Sequence, residues 1–203
     1  MNREFLMPGI AAVALAALFP LYWFSGLFST SGETLLEMYK ADVSSLTPID
    51  GLFVLIGALE IYIYLSLRRL LHHQLQGAFA AGMALAMAIA VGAFTSIVLF
   101  DVSLALTPGM AESARQSTIL VAAVVSIGLS VLVGLIGIAL SIALLALRND
   151  GTILLKIFAG LLLICSLMTI TILLAPVVYV FYPMALVILA AFFLRGGGEV
   201  EVV

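Results

Sequence analysis

Charge is the scarcest property of this chain. Its 203 residues include 8 Lys and Arg, 11 Asp and Glu and 2 His, for a net charge of −3. Neither sign gathers into a run, so the sequence offers no basic surface for a phosphate backbone, and nucleic acid is not an expected partner. Cysteine occurs once, as Cys165 within an apolar run, which excludes an intramolecular disulfide and a cysteine metal cluster. The two histidines, His72 and His73, are adjacent, and neighbouring helical residues point about 100° apart. A haem or metal held by paired histidines needs ligands that converge from separate positions, so no cofactor is expected. No N-x-S/T sequon is present, and the sequence lacks an H-E-x-x-H helix, a paired-carboxylate motif and a nucleophile with a base and an orienting acid. An enzyme is therefore not expected, because a mechanism needs a site and none is visible.

What remains is overwhelmingly apolar: 65% of residues are hydrophobic and the mean hydropathy is +1.31. A water-soluble domain does not have this composition. In hydrocarbon every backbone N–H and C=O must be satisfied within the protein, so long apolar runs imply helices. The expected fold is all-α, a polytopic transmembrane helix bundle of six spans forming a single domain over residues 1–195, with five spans as the fallback if the last segment is re-entrant. The spans are expected near residues 5–28, 49–67, 77–104, 116–147, 153–175 and 177–194. The first apolar run is about 24 residues, beyond the 7–15 of a signal peptide core, and reads as a retained span. From Ile157 to Leu194 the chain carries no charge, and as one helix of 38 residues it would reach about 57 Å against a core of about 30 Å, so it must fold back, with Pro176 and Pro183 bracketing the break. Tyr179 and Tyr182 are expected at that turn, and Tyr22 and Trp23 in an aromatic belt at the end of the first span. Residues 30–46 carry a Thr30–Glu33 capping box and apolar residues near helical spacing, the pattern of a short amphipathic helix in the first outer loop. Thr107 and Pro108 read as an N-cap followed by proline at N1 of the fourth span. Residues 196–203, beginning with three glycines, read as a flexible tail.

Six of the eight basic residues, Arg3, Arg68, Arg69, Arg148, Lys156 and Arg195, fall on one side of such a six-span chain, leaving Lys40 and Arg115 on the other. This bias predicts cytoplasmic N- and C-termini in a bacterial inner (plasma) membrane. No sequence repeat relates residues 1–100 to 101–195, so an inverted-repeat transporter design has no support at this level.

Two uncharged runs carry small residues at spacing four: Ala80, Ala84, Ala88, Gly92 and Ser96 in one, and Ala122, Ser126, Ser130 and Gly134 in the other. Small side chains let helix backbones approach in lipid. An antiparallel pairing that sets Gly92 against Ser126, Ala88 against Ser130 and Ala84 against Gly134 is the expected centre of the bundle. Glu60 is the one acid expected near the bilayer midplane, where a charge costs about 2.5–3.5 kcal/mol on insertion scales. Tyr64 lies one turn along the same helical face, and Thr95, Ser96, Ser126 and Ser130 are the hydroxyls that could oppose it. Glu60 is either a proton or cation site or a neutral carboxyl that hydrogen-bonds between helices as structural glue. Asp101, near the outer interface, is a weaker candidate for a gate or ligand position and reads first as a solvated cap.

The small-residue rows, the outer amphipathic segment and the missing catalytic set favour a non-enzymatic interaction or assembly component, partnered by membrane lipids and by a second copy or another membrane protein. A small channel or proton-coupled transporter using Glu60 is the alternative, and it requires a polar cavity reaching that carboxyl. A lipid or hydrophobic-ligand binding protein is a further one.

Overall fold

The computed structural model describes residues 3–28, 46–147, 153–171 and 174–195. The expected amphipathic helix after residue 30, the basic residues Lys40 and Arg148 and the tail from residue 196 lie outside them. Among the described residues the regular elements are all helices: α1 (Arg3–Phe28), α2 (Pro48–His73), α3 (Ala78–Thr95), α4 (Val98–Leu106), α5 (Glu112–Leu145), α6 (Ile153–Ile170) and α7 (Ala175–Leu194). With α3 and α4 forming one interrupted apolar segment, six are long and apolar enough to cross a membrane.

Local chemistry sets the helix ends. The chain enters α2 through a reciprocal cap, in which the Thr47 backbone N–H donates to Asp50 Oδ2 at 2.6 Å and the Asp50 N–H donates to the Thr47 carbonyl at 3.1 Å. Between α2 and α3 the chain reverses over Gln76, whose φ of 49° is left-handed. Thr107 and Pro108 do not open α5 as the sequence suggested. Thr107 ends α4, its hydroxyl donating to the Ser103 carbonyl at 2.7 Å, and α5 begins at Glu112 after a turn. The 34 residues of α5 span about 51 Å at 1.5 Å each, well beyond the hydrocarbon thickness. Its polar first turns extend past the apolar stretch, and α4 packs beside them through Leu104, Met110 and Ile119.

The spans close into a ring. Helix α1 packs on α2, α2 on α3, α3 on α5, α5 on α6, α6 on α7, and α7 returns to α1 in the most extensive of these contacts. Gly9 permits the closure, since a Cβ there would lie 2.8 Å from the Leu194 side chain. The start of α1 and the end of α7 therefore share one end of the ring, here called the terminal end. That half is filled: Leu67, Leu71, Leu140, Leu144, Leu155, Phe158 and Phe193 form a continuous core without accessible surface. The outer wall is the reverse, with Ile10, Val13, Val54, Leu55, Ile89, Val124, Ile127, Leu135, Ile142, Ile164 and Val187 all exposed. In water this would be an aggregating surface, whereas acyl chains are its natural solvent.

The structure corrects the expected central pair. Helices α3 and α5 do touch, but their small-residue rows do not meet in the expected register. Leu147 lies against Gly77, and the Met87 methyl comes within 3.7 Å of a Cβ placed on Gly137, where that register would have put residues 141 and 131. Gly92 faces Ile61 of α2, and Gly134 faces Ile170 and the Ser166 carbonyl of α6. Ser96 is exposed and donates to the Ala93 carbonyl at 2.6 Å. The cause is geometric: a helix in a ring has two neighbours and an interior to satisfy, so residues at spacing four, drifting about 40° per step, are divided among them. Ala80, Ala84, Ala88, Ala122 and Gly134 are nonetheless buried within the chain's own bundle.

The tightest approach on the α5–α6 seam is at Gly137, where an added Cβ would collide with the Ser166 hydroxyl. Gly137→Val is expected to destabilise the purified protein by about 1–3 kcal/mol through overpacking. Gly160→Ala, which meets nothing within 4 Å, should be neutral or raise stability by up to about 1 kcal/mol. Thermal melting of both variants in detergent checks the pair.

Candidate functional site

The core that fills the terminal half gives way, beyond Glu60, to a cavity of about 170 Å³ to which all six spans contribute. Phe19 and Trp23 come from α1, Glu60 from α2, Met87, Val91 and Phe94 from α3, and Ser130, Val133 and Gly134 from α5. Leu162, Cys165, Ser166 and Thr169 come from α6, and Val178, Tyr179 and Tyr182 from α7. Most of these residues belong to the halves of their helices remote from the terminal end. The bundle is thus solid on one side of its midplane and hollow on the other.

Glu60 stands at the boundary, in the middle of the 26-residue α2 and partly exposed to the cavity. Among the described residues no basic side chain lines the space with it. Tyr182 from α7 hydrogen-bonds the Glu60 carboxyl. The Tyr182 hydroxyl is also 3.3 Å from that of Tyr64, both rings being buried. A carboxylate can only accept, so towards an ionised Glu60 the Tyr182 proton points at the carboxyl and Tyr64 donates to Tyr182. Were Glu60 protonated, the chain could also run the other way. This three-group relay joins two helices that are not neighbours in the ring, reaching across its interior.

Aromatic rings form the wall beyond Glu60. Trp23 and Tyr179 stack with centroids 4.5 Å apart and planes 10° from parallel. Phe19 meets Tyr182 edge-on at 4.9 Å. Tyr22 lies 5.5 Å from Phe53, which in turn lies 5.8 Å from Phe94. Offset and edge-to-face ring pairs of this kind hold one another in place.

Of the residues singled out in the sequence, Glu60 and Tyr64 are brought together through Tyr182, and Ser130 shares their cavity. Thr95 and Ser126 are turned to their own helices, donating to the carbonyls of Val91 at 2.8 Å and Ala122 at 2.7 Å. The Thr95 side chain packs where Gly57 of α2 leaves room for it. Asp101 is placed apart, partly buried in α4 and outside the cavity. His72 and His73 are exposed at the end of α2.

The largest correction concerns α7. Tyr179 and Tyr182 do not lie at a turn but within the helix. The helix starts at Ala175 and runs on through Pro183, which does not bound the break, so Tyr182 lies about 10 Å into it and faces the interior. Trp23 likewise lines the cavity. The available signal was the spacing: Tyr179 and Tyr182, three apart, share a helical face, as do Phe19 and Trp23, four apart.

Comparison with family models, with curated proteins and with solved structures finds no match. Function is therefore argued from the cavity alone.

Two measurements probe this geometry. Removing both hydroxyls with Tyr64→Phe and Tyr182→Phe should reveal a coupling of about 0.6 kcal/mol, and no more than about 1.7, in a double-mutant cycle of unfolding free energies. In a Cys165→Ala background, a cysteine replacing Ser130 should react with a cationic thiol reagent added at the end remote from the termini. One replacing Leu67 should resist the reagent from either end.

Proposed function

We propose that this multi-pass membrane protein is a small carrier of the proton-coupled type, in which Glu60 binds the transported proton or cation within the central cavity. The observation that carries this reading is the carboxyl at the junction between a filled and a hollow half of the ring. A charge-bearing group in the middle of a span is expensive to place, and such groups commonly mark ion pathways. Here it faces open volume together with Ser130 and the Tyr182 hydroxyl, in contrast to a carboxyl packed dry between apolar side chains. The filled terminal half favours a carrier over a channel, because a channel needs a continuous path and a carrier a site open to one side at a time. The departure of a proton or cation would leave a carboxylate steadied by the Tyr182 hydroxyl, to which Tyr64 in turn donates.

One motive for the assembly reading is weaker: most of the small residues that suggested docking to another protein are buried against the chain's own helices. The proposed setting is a bacterial inner membrane with both termini cytoplasmic, supported by Arg3, Arg68, Arg69, Lys156 and Arg195 at the terminal end and Arg115 at the other. In that orientation the cavity belongs to the external half of the bundle.

Transient currents on a solid-supported membrane decide the matter. A pH step applied to proteoliposomes of the wild-type chain should displace charge, Glu60→Asp should retain a reduced signal, and Glu60→Gln should abolish it while melting like the wild type. A wild-type chain without current, or an undiminished response in Glu60→Gln, overturns the proposal.

A further inference from the structure

The cavity around Glu60 also has a chemical preference, and the inference drawn from it rests on the carrier reading. We propose that its substrate is a small organic monocation, with an ammonium head against Glu60 and an apolar body about the size of one benzene ring against the aromatic wall.

Three features converge on this class. The first is charge. Among the described lining residues Glu60 is the only carboxyl and none is Lys, Arg or His, so this part of the space is complementary to one positive charge and disfavours anions. The second is the wall. Rings of Phe19, Trp23, Phe94, Tyr179 and Tyr182 surround the remaining volume, and aromatic faces attract a desolvated ammonium through their quadrupoles, the arrangement that recognises quaternary ammonium groups. The third is size. A cavity of about 150 Å³ admits benzene, so the 170 Å³ available here, which is open on one side, is on the scale of a single ring with its head group.

The same features argue against a bare metal ion. Hard cations require about six oxygen ligands, or eight for the larger ones. This lining offers one carboxyl and a few hydroxyls, of which Thr169 already donates to the Cys165 carbonyl at 2.9 Å. A quaternary or tertiary ammonium spreads its charge over its methyl groups and needs no such shell. It can therefore leave water for an apolar cage with a single counter-charge. A proton and an organic cation would compete for the same carboxyl, which gives an exchanger its coupling: the site holds one or the other.

The chain contains one tryptophan, and that residue, Trp23, lies in the cavity wall, so intrinsic fluorescence reports occupancy directly. The probe is phenyltrimethylammonium, titrated into the full chain in nanodiscs and confirmed by calorimetry. Its neutral isostere tert-butylbenzene and the anion benzenesulfonate are the comparisons. Saturable binding of the cation is expected, weakened about tenfold or more by Glu60→Gln and several-fold by Tyr179→Leu, with the isostere about tenfold weaker and the anion not binding. Both variants must melt cooperatively near the wild type. If one does not, Phe19→Leu and Glu60→Asp replace them, and the cation should bind more weakly to each than to the wild type.

Equal binding of cation and isostere, indifference to Glu60→Gln, or no binding of the cation at all would overturn the inference. The two proposals fail separately. Glu60-dependent proton currents without cation binding would leave the carrier reading intact and remove the substrate class. Cation binding that depends on Glu60 in a chain without currents would keep the ligand and remove transport.

Discussion

The closure of α1 against α7 gives this protein an inside. A row of six apolar helices in lipid has no preferred interior, since acyl chains solvate its two faces equally well. Once Gly9 lets the first span lie against the end of the last, each helix acquires two neighbours and a third side turned to a common axis. Polar groups then have somewhere to go other than hydrocarbon. The alternation of exposed aliphatic residues on the outer wall with buried Ala, Leu and Phe within follows from that topology.

The axis is not used uniformly. In the terminal half, Leu67, Leu71, Leu140, Leu144, Phe158 and Phe193 fill the ring with side chains that have no accessible surface. In the other half the interior residues shrink to Ser130, Gly134 and Ser166 on α5 and α6, while bulky rings stand on α1, α3 and α7. Small residues on one side and rigid aromatics on the other leave volume that the side chains cannot collapse into. Glu60 lies where these two regimes meet, and its hydrogen bond to Tyr182 crosses the ring there.

Much of the fold was legible from residue order. Runs of about 20 apolar residues separated by five polar or glycine- and proline-marked breaks pointed to six apolar helices, because hydrocarbon leaves a backbone few options. Glu60 was legible for the same reason, as a lone acid at the centre of a span. Tyr64 followed from helical periodicity. The small-residue rows were legible as packing residues but not as to partner. Spacing four says that a face is smooth, and it does not say which of several smooth or knobbed faces will cover it. Gly92 found Ile61, and Gly134 found Ile170, in contacts that depend on where every other helix lies.

Tyr179, Tyr182 and Trp23 show the limit most clearly. Near a span end an aromatic residue is equally at home in a lipid interface or a protein interior, because its apolar ring and polar tip satisfy both environments. Composition and periodicity therefore specified a six-helix membrane bundle with one acid at its middle, since those properties follow from the solvent the chain must enter. Which helices are neighbours, that they close into a ring, and that a tyrosine 122 residues downstream of Glu60 reaches its carboxyl were decided by tertiary packing alone, because contacts so remote in the chain leave no periodic trace in it.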